Sequence, residues 1–213
     1  MLSPIQVGAV HCSDLKRAVM TAEAICNAQS DPKLIPQTSI LLREQKYGSG
    51  EGKRWDGRRI PNLTMDKHYE RGIYPPLRNR LEKFPGGESL SDLARRAGEV
   101  IDHILWPYIW DETHNNAHIV VVSHGILLAE LMTALVKRHN VQHTSKIQPR
   151  DFRGMRNTAW TKVRVNARVS VLTSLSTGVV ELTTSKGIAQ GVFVNGREDV
   201  DAPRGSGDEY QQF

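Results

Sequence analysis

The run HIVVVS, residues 118–123, constrains this chain more than any other stretch. β-branched side chains favour extended backbone, and an apolar run without polar alternation leaves no face for water. Such a strand is buried on both faces, the habit of a parallel sheet covered by helices on each side. His124 and Gly125 follow, then ILLAELMTALVKRH, an apolar stretch at helical spacing with a basic end.

The same alternation recurs along the sequence. QVGAVHC reads as a strand, and Ser13 as the N-cap of a helix with Asp14 in its first turn. Leu15, Val19, Ala22 and Cys26 then form one buried stripe. SILLRE, 39–44, reads as a second strand, and 46–87 as an irregular Gly- and Pro-rich region with a short helix near Met65–Arg71. ESLSDLARRAGEVIDHIL is an amphipathic helix with Leu90, Leu93, Ala97, Val100 or Ile101, and Ile104 inward. TAWTKVRV, VSVLTSLST and VVELTTS read as strands. Strands alternating with helices imply a three-layer α/β/α sandwich with a mainly parallel sheet. Residues 1–185 are expected to form one domain, and 186–213 a polar, disordered tail.

The net charge of +5 favours an anionic partner. Nucleic acid and phosphate esters are both candidates, and charge alone does not choose between them. No aromatic-rich nucleic-acid motif accompanies the basic residues, so nucleic acid is not the expected partner. A phosphorylated small molecule is what the site and the resemblance given below imply. There is no run of about 18 apolar residues and no secretory signal, so a cytoplasmic protein without membrane attachment is expected. Cys12 and Cys26 make neither a disulfide framework nor a metal spacing; no metal and no cofactor are expected. The sequence sets no oligomeric state.

Ligands of open α/β sheets bind at the carboxyl ends of the strands. Arg17, Glu44 and His124 all fall just past strand candidates, so the fold rule brings them to one rim. A guanidinium offers a planar fork of donors that suits phosphate oxygens. A histidine followed by glycine can reach into a crevice. A glutamate beside a phosphate dianion is pushed toward its protonated form, as a general acid requires. Taken singly, each has an ordinary reading: a surface arginine, a strand-end carboxylate, a structural histidine. Their joint order carries the argument.

SDLKRAVMTAEAI, LREQKYGSGEGK and VVVSHG, in that order, resemble the signatures of the histidine phosphatase superfamily, the phosphoglycerate mutase-like proteins. FPGGESLSDLARRAGEVID and NTAW, 157–160, resemble the flanking helix and strand. The likeness runs from about Val10 to Val165 and is to the broad-phosphatase branch. It implies that Arg17 and His124 bind phosphate, that Glu44 and His124 are catalytic with Glu44 the proton donor, and that no metal takes part. It also implies a first, central strand ending in Arg-His-Gly, whose histidine is the nucleophile. No Arg-His-Gly occurs in these 213 residues. The expectation is an N-terminally truncated domain, its first central strand missing, that is inactive for want of that histidine. His11 lies beside the arginine signature without matching neighbours and reads as a strand-end residue. The alternatives are a non-catalytic paralogue that binds phosphate compounds or a protein, and a basic nucleic-acid-binding domain built on KRWDGRR, 53–59.

Overall fold

The valine run forms the strand expected of it. The structure, a computed structural model, describes residues 7–29, 34–110, 118–138, 152, 160–168, 177–181 and 190–195. In chain order the elements are β1 (Val7–Ser13), α1 (Lys16–Asn27), β2 (Gln37–Ser39), 3-10 turns at Ile40–Leu42 and Gly48–Gly50, α2 (Met65–Glu70) and α3 (Leu90–Val100). A π-helical segment, Ile101–Leu105, leads into α4 (Trp106–Trp110). There follow β3 (His118–Ser123), α5 (Gly125–Arg138), β4 (Trp160–Arg168), β5 (Thr177–Glu181) and β6 (Gln190–Asn195). By contacts the described chain falls into two compact units, one of them the residues up to Glu44 together with those from Arg96 on, and the other Gln45–Arg95.

The first unit holds a six-stranded sheet in the order β2-β1-β3-β6-β4-β5. β1, β2, β3 and β6 pair in parallel, and β4 runs antiparallel to β5 and β6. This is the predicted α/β architecture with a mainly parallel sheet. Ile119 to Ser123 are all buried. Val120 and Val122 join Val10 and Cys12 on the face that receives Ala18, Ala22 and Cys26 of α1. Small residues on that helix stripe let it sit close, and each buried valine stabilises by roughly 1.5–3 kcal/mol. On the other face of β1, the Tyr108 hydroxyl of α4 lies 2.8 Å from His11 Nε2. Pro107 has no N–H to give to the carbonyl four residues back, and the π turn stands just before it.

Several local expectations shift. Ser13 ends β1 instead of capping a helix; its Oγ accepts from Leu15 N at 3.2 Å, and α1 begins at Lys16. SILLRE is not a strand. Ser39 ends β2 and its Oγ accepts from Leu41 N at 3.2 Å, which turns Ile40–Leu42 into a 3-10 helix. VVELTTS contributes to β5, whereas residues 169–176 of VSVLTSLST lie outside the described residues. The centre of the sheet, expected to lack its first strand, holds β6 between β3 and β4. β6 lies inside the segment expected to be a disordered tail: Val192, Phe193 and Val194 are a strand signal that the surrounding glycine and polar residues obscured. The remainder of 186–213 lies outside the described residues.

The second unit is built on aromatic rings rather than a sheet. Phe84, 1% exposed, packs against Trp55, Tyr69 and Tyr74 at centroid distances of 5.1, 5.5 and 5.6 Å. Buried His68 ties down the chain before α2: its Nε2 accepts from Ile60 N and its Nδ1 bonds Thr64 O, each at 2.8 Å. Among the described residues, no helix is long and apolar enough to cross a membrane.

Candidate functional site

Because β1, β2 and β3 are parallel, the chain leaves all three at the same rim of the sheet. Arg17 lies in the first turn of α1 after β1, Glu44 follows the 3-10 turn after β2, and His124 follows β3. His124 is the N-cap of α5, since its carbonyl accepts from Leu128 N at 2.9 Å.

Two of the three side chains meet directly, and the third bonds the backbone just after His124. Arg17 Nε lies 3.1 Å from His124 Nδ1. A guanidinium only donates, so Nδ1 is the acceptor and the neutral ring carries its proton on Nε2. His124 is 2% exposed, and among the described residues its buried Nε2 has no hydrogen-bond partner. A buried donor left unmatched costs about 1–3 kcal/mol, which an acceptor placed there would recover. Among the described residues, the terminal N–H groups of Arg17 have no protein partner. Glu44 accepts from Ile126 N through Oε2 and from Leu127 N through Oε1, both at 3.1 Å. It thus satisfies two of the orphan donors of the first turn of α5, directly after His124.

The chain around Glu44 is tightly held. Ser123 Oγ donates to Leu42 O at 2.7 Å. Arg96 Nη1 donates to Leu41 O and Arg43 O at 2.9 and 2.6 Å, and its Nη2 to Glu44 O at 3.1 Å. Arg43 forks onto Asp14, Nε to Oδ1 at 2.7 Å and Nη2 to Oδ2 at 2.6 Å, and this pairing lowers the Asp14 carboxyl below its usual range.

Burial, reinforced by the charges of Arg17 and Arg96 and only partly opposed by Asp14, pushes His124 down to about 3. His11 is lowered as well, by burial. The His124 ring is therefore neutral when folded and gains a proton when unfolded below about pH 6.5. The unfolded state binds more protons in that window, so stability falls as pH falls. His124 alone should cost about 2 kcal/mol between pH 7.5 and pH 5. Urea unfolding at the two pH values measures this, and His124→Asn should remove that part of the slope; an unchanged slope in that variant would contradict the account.

The sequence pattern placed Arg17, Glu44 and His124 on one rim; the structure sets Arg17 Nε 3.1 Å from His124 Nδ1 and the Glu44 carboxylate on the N–H groups of Ile126 and Leu127. The pattern missed Arg96, Ser123 and the Asp14–Arg43 pair. The signal for Arg96 was present: it lies three residues after Leu93 and four before Val100, flanking the buried stripe of its helix. His11 stands apart from the rim. It is the fifth of the seven residues of β1, not a strand end, and its Nε2 is engaged by Tyr108.

Residues 1–177 match the family described as histidine phosphatase superfamily (branch 1). Over 155 residues the chain is 30% identical to the 2,3-bisphosphoglycerate-dependent phosphoglycerate mutase of Buchnera aphidicola subsp. Acyrthosiphon pisum (strain 5A), covering 61% of this chain and 63% of the mutase. Over 145 residues it is 32% identical to a probable phosphatase of Schizosaccharomyces pombe, covering 68% of this chain and 45% of that protein. The chain spans less than two thirds of the length of these relatives.

Proposed function

We propose that this chain, which belongs to the histidine phosphatase superfamily (branch 1), binds the phosphoryl group of a phosphorylated small molecule at the rim where β1 and β3 end. The observation that carries this reading is that, among the described residues, the buried Nε2 of His124 and the terminal N–H groups of Arg17, whose Nε bonds Nδ1 of the same ring, have no partner. An arginine fork and a neutral imidazole donor suit phosphoryl oxygens, and two guanidiniums, Arg17 and Arg96, already bear on His124.

In a phosphomonoesterase cycle the phosphoryl group passes in line to a histidine and then to water. Arg17 and His124 would hold the transferring oxygens. Glu44 would protonate the leaving alkoxide and then help to deprotonate water. In the free protein Glu44 accepts two amide protons, the pattern of a carboxylate. Its proton would arrive with the substrate, since a dianion beside a carboxylate favours the protonated form. The histidine acceptor belongs to an Arg-His-Gly sequence, and these 213 residues contain none. The 213-residue polypeptide should therefore bind phosphate without turning over an ester.

Calorimetric titration with inorganic phosphate should give one saturable site, and aryl phosphate hydrolysis should not exceed buffer. Absence of saturable binding would sink the phosphate reading. Turnover that His11→Ala abolishes would overturn the assignment of the nucleophile.

A further inference from the structure

The reading above uses Arg96 only for its charge, yet the chain that carries Glu44 is hydrogen-bonded by its guanidinium. Four successive carbonyls, Leu41 to Glu44, each accept a hydrogen bond from a side chain. Ser123 serves Leu42, and Arg96 serves the other three. This stretch leaves a 3-10 turn and enters irregular backbone, where regular ladder bonds are not available to it. We propose that Arg96 is a positioning residue: by binding the carbonyls of Leu41, Arg43 and Glu44 it holds the Glu44 carboxylate on the first-turn N–H groups of α5, beside His124. The functional meaning of that position rests on the phosphate reading of Glu44 and His124.

The choice of arginine follows from the geometry. The three carbonyls are met by two terminal nitrogens of one planar fork, Nη1 taking two and Nη2 the third. A lysine ammonium is a point donor on a flexible stem and cannot span them in the same way. The effect passes along a short chain of contacts: Arg96 to the Glu44 carbonyl, the Glu44 carboxylate to Ile126 N and Leu127 N, and the helix start to the His124 N-cap. The Arg96 charge also bears on His124 and favours its neutral ring, the form in which Nδ1 can accept from Arg17.

Amide hydrogen exchange of the 213-residue polypeptide, read without ligand, tests this independently of phosphate binding. Arg96→Ala should speed exchange at Ile126 and Leu127 by roughly 10-fold, the loss expected for one hydrogen bond to a charged acceptor. Leu131 and Met132, deeper in the same helix, should stay within about twofold, since distant sites are nearly independent. Glu44→Ala should reproduce the effect, and the double variant should add little to either. A nitrogen-15 titration of His124 supplies a second signature: its pKa should rise in Arg96→Ala and stay low in Arg96→Lys, which keeps the charge. If the alanine variant does not fold, Arg96→Lys remains informative, with faster exchange at the two amides expected. Unchanged exchange at Ile126 and Leu127, or an equal rise along the whole of α5, would overturn the proposal.

Discussion

Arg17→Ala should weaken orthovanadate binding by more than about 100-fold. A fork on an anion makes two charge-assisted hydrogen bonds, each of about 1.5–3 kcal/mol, and half-burial limits the return of water to the gap. A second loss adds to the first. Without Arg17 Nε, nothing obliges His124 Nδ1 to be the acceptor, so the ring no longer keeps its proton on Nε2 where the anion needs it. Arg17→Lys retains a charge but not the fork and should lose roughly 10-fold. Arg138→Ala is the control: that residue pairs with Asp102 and lies at the far end of α5 from His124. Calorimetry on the four proteins measures the series. Equal affinities for the wild type and Arg17→Ala would remove Arg17 from the site.

Gly48→Ala should destabilise the second unit by roughly 3 kcal/mol or more. Gly48 has φ of 56°, and a Cβ built on it would stand 2.2 Å from Pro85 O and 2.4 Å from Gly87 N. Both neighbours are backbone, so neither can swing aside. The comparison is with Gly52, φ 65°, where a Cβ meets nothing within 4 Å. Gly52→Ala should cost only the left-handed backbone penalty, about 1–2 kcal/mol. Near-ultraviolet circular dichroism of the cluster around Phe84, followed through urea unfolding, reports on this unit. Equal costs at the two glycines would show that the close approach to Pro85 is not what demands glycine.

Much of the site was legible in the sequence because it follows from one strand. A run as apolar as Ile119–Val122 has to be central, a central parallel strand has to end at the ligand rim, and His124 is the next polar residue. Arg17 and Glu44 were reached by the same rule. What stayed hidden depended on side chains bonding to backbone far away in sequence. SILLRE has the composition of a strand, and the Ser39 hydroxyl on Leu41 N together with Arg43 N on Ile40 O shows that the chain turns there. Arg96 stands in an Arg-Arg pair that looks solvated, and its three carbonyl partners are more than fifty residues away. β6 was masked by its surroundings: three apolar residues between glycine and asparagine are too few to mark a central strand until β3 and β4 are seen on either side.

The central claim is that Arg17 and His124 share one phosphoryl-sized anion. A nitrogen-15 spectrum of the histidine side chains, titrated with orthovanadate, addresses it directly. The account predicts that the Nε2 resonance of His124 shifts and saturates at one equivalent, while Nδ1 stays unprotonated. A titration that leaves His124 unmoved, or that instead shifts His11, would contradict it.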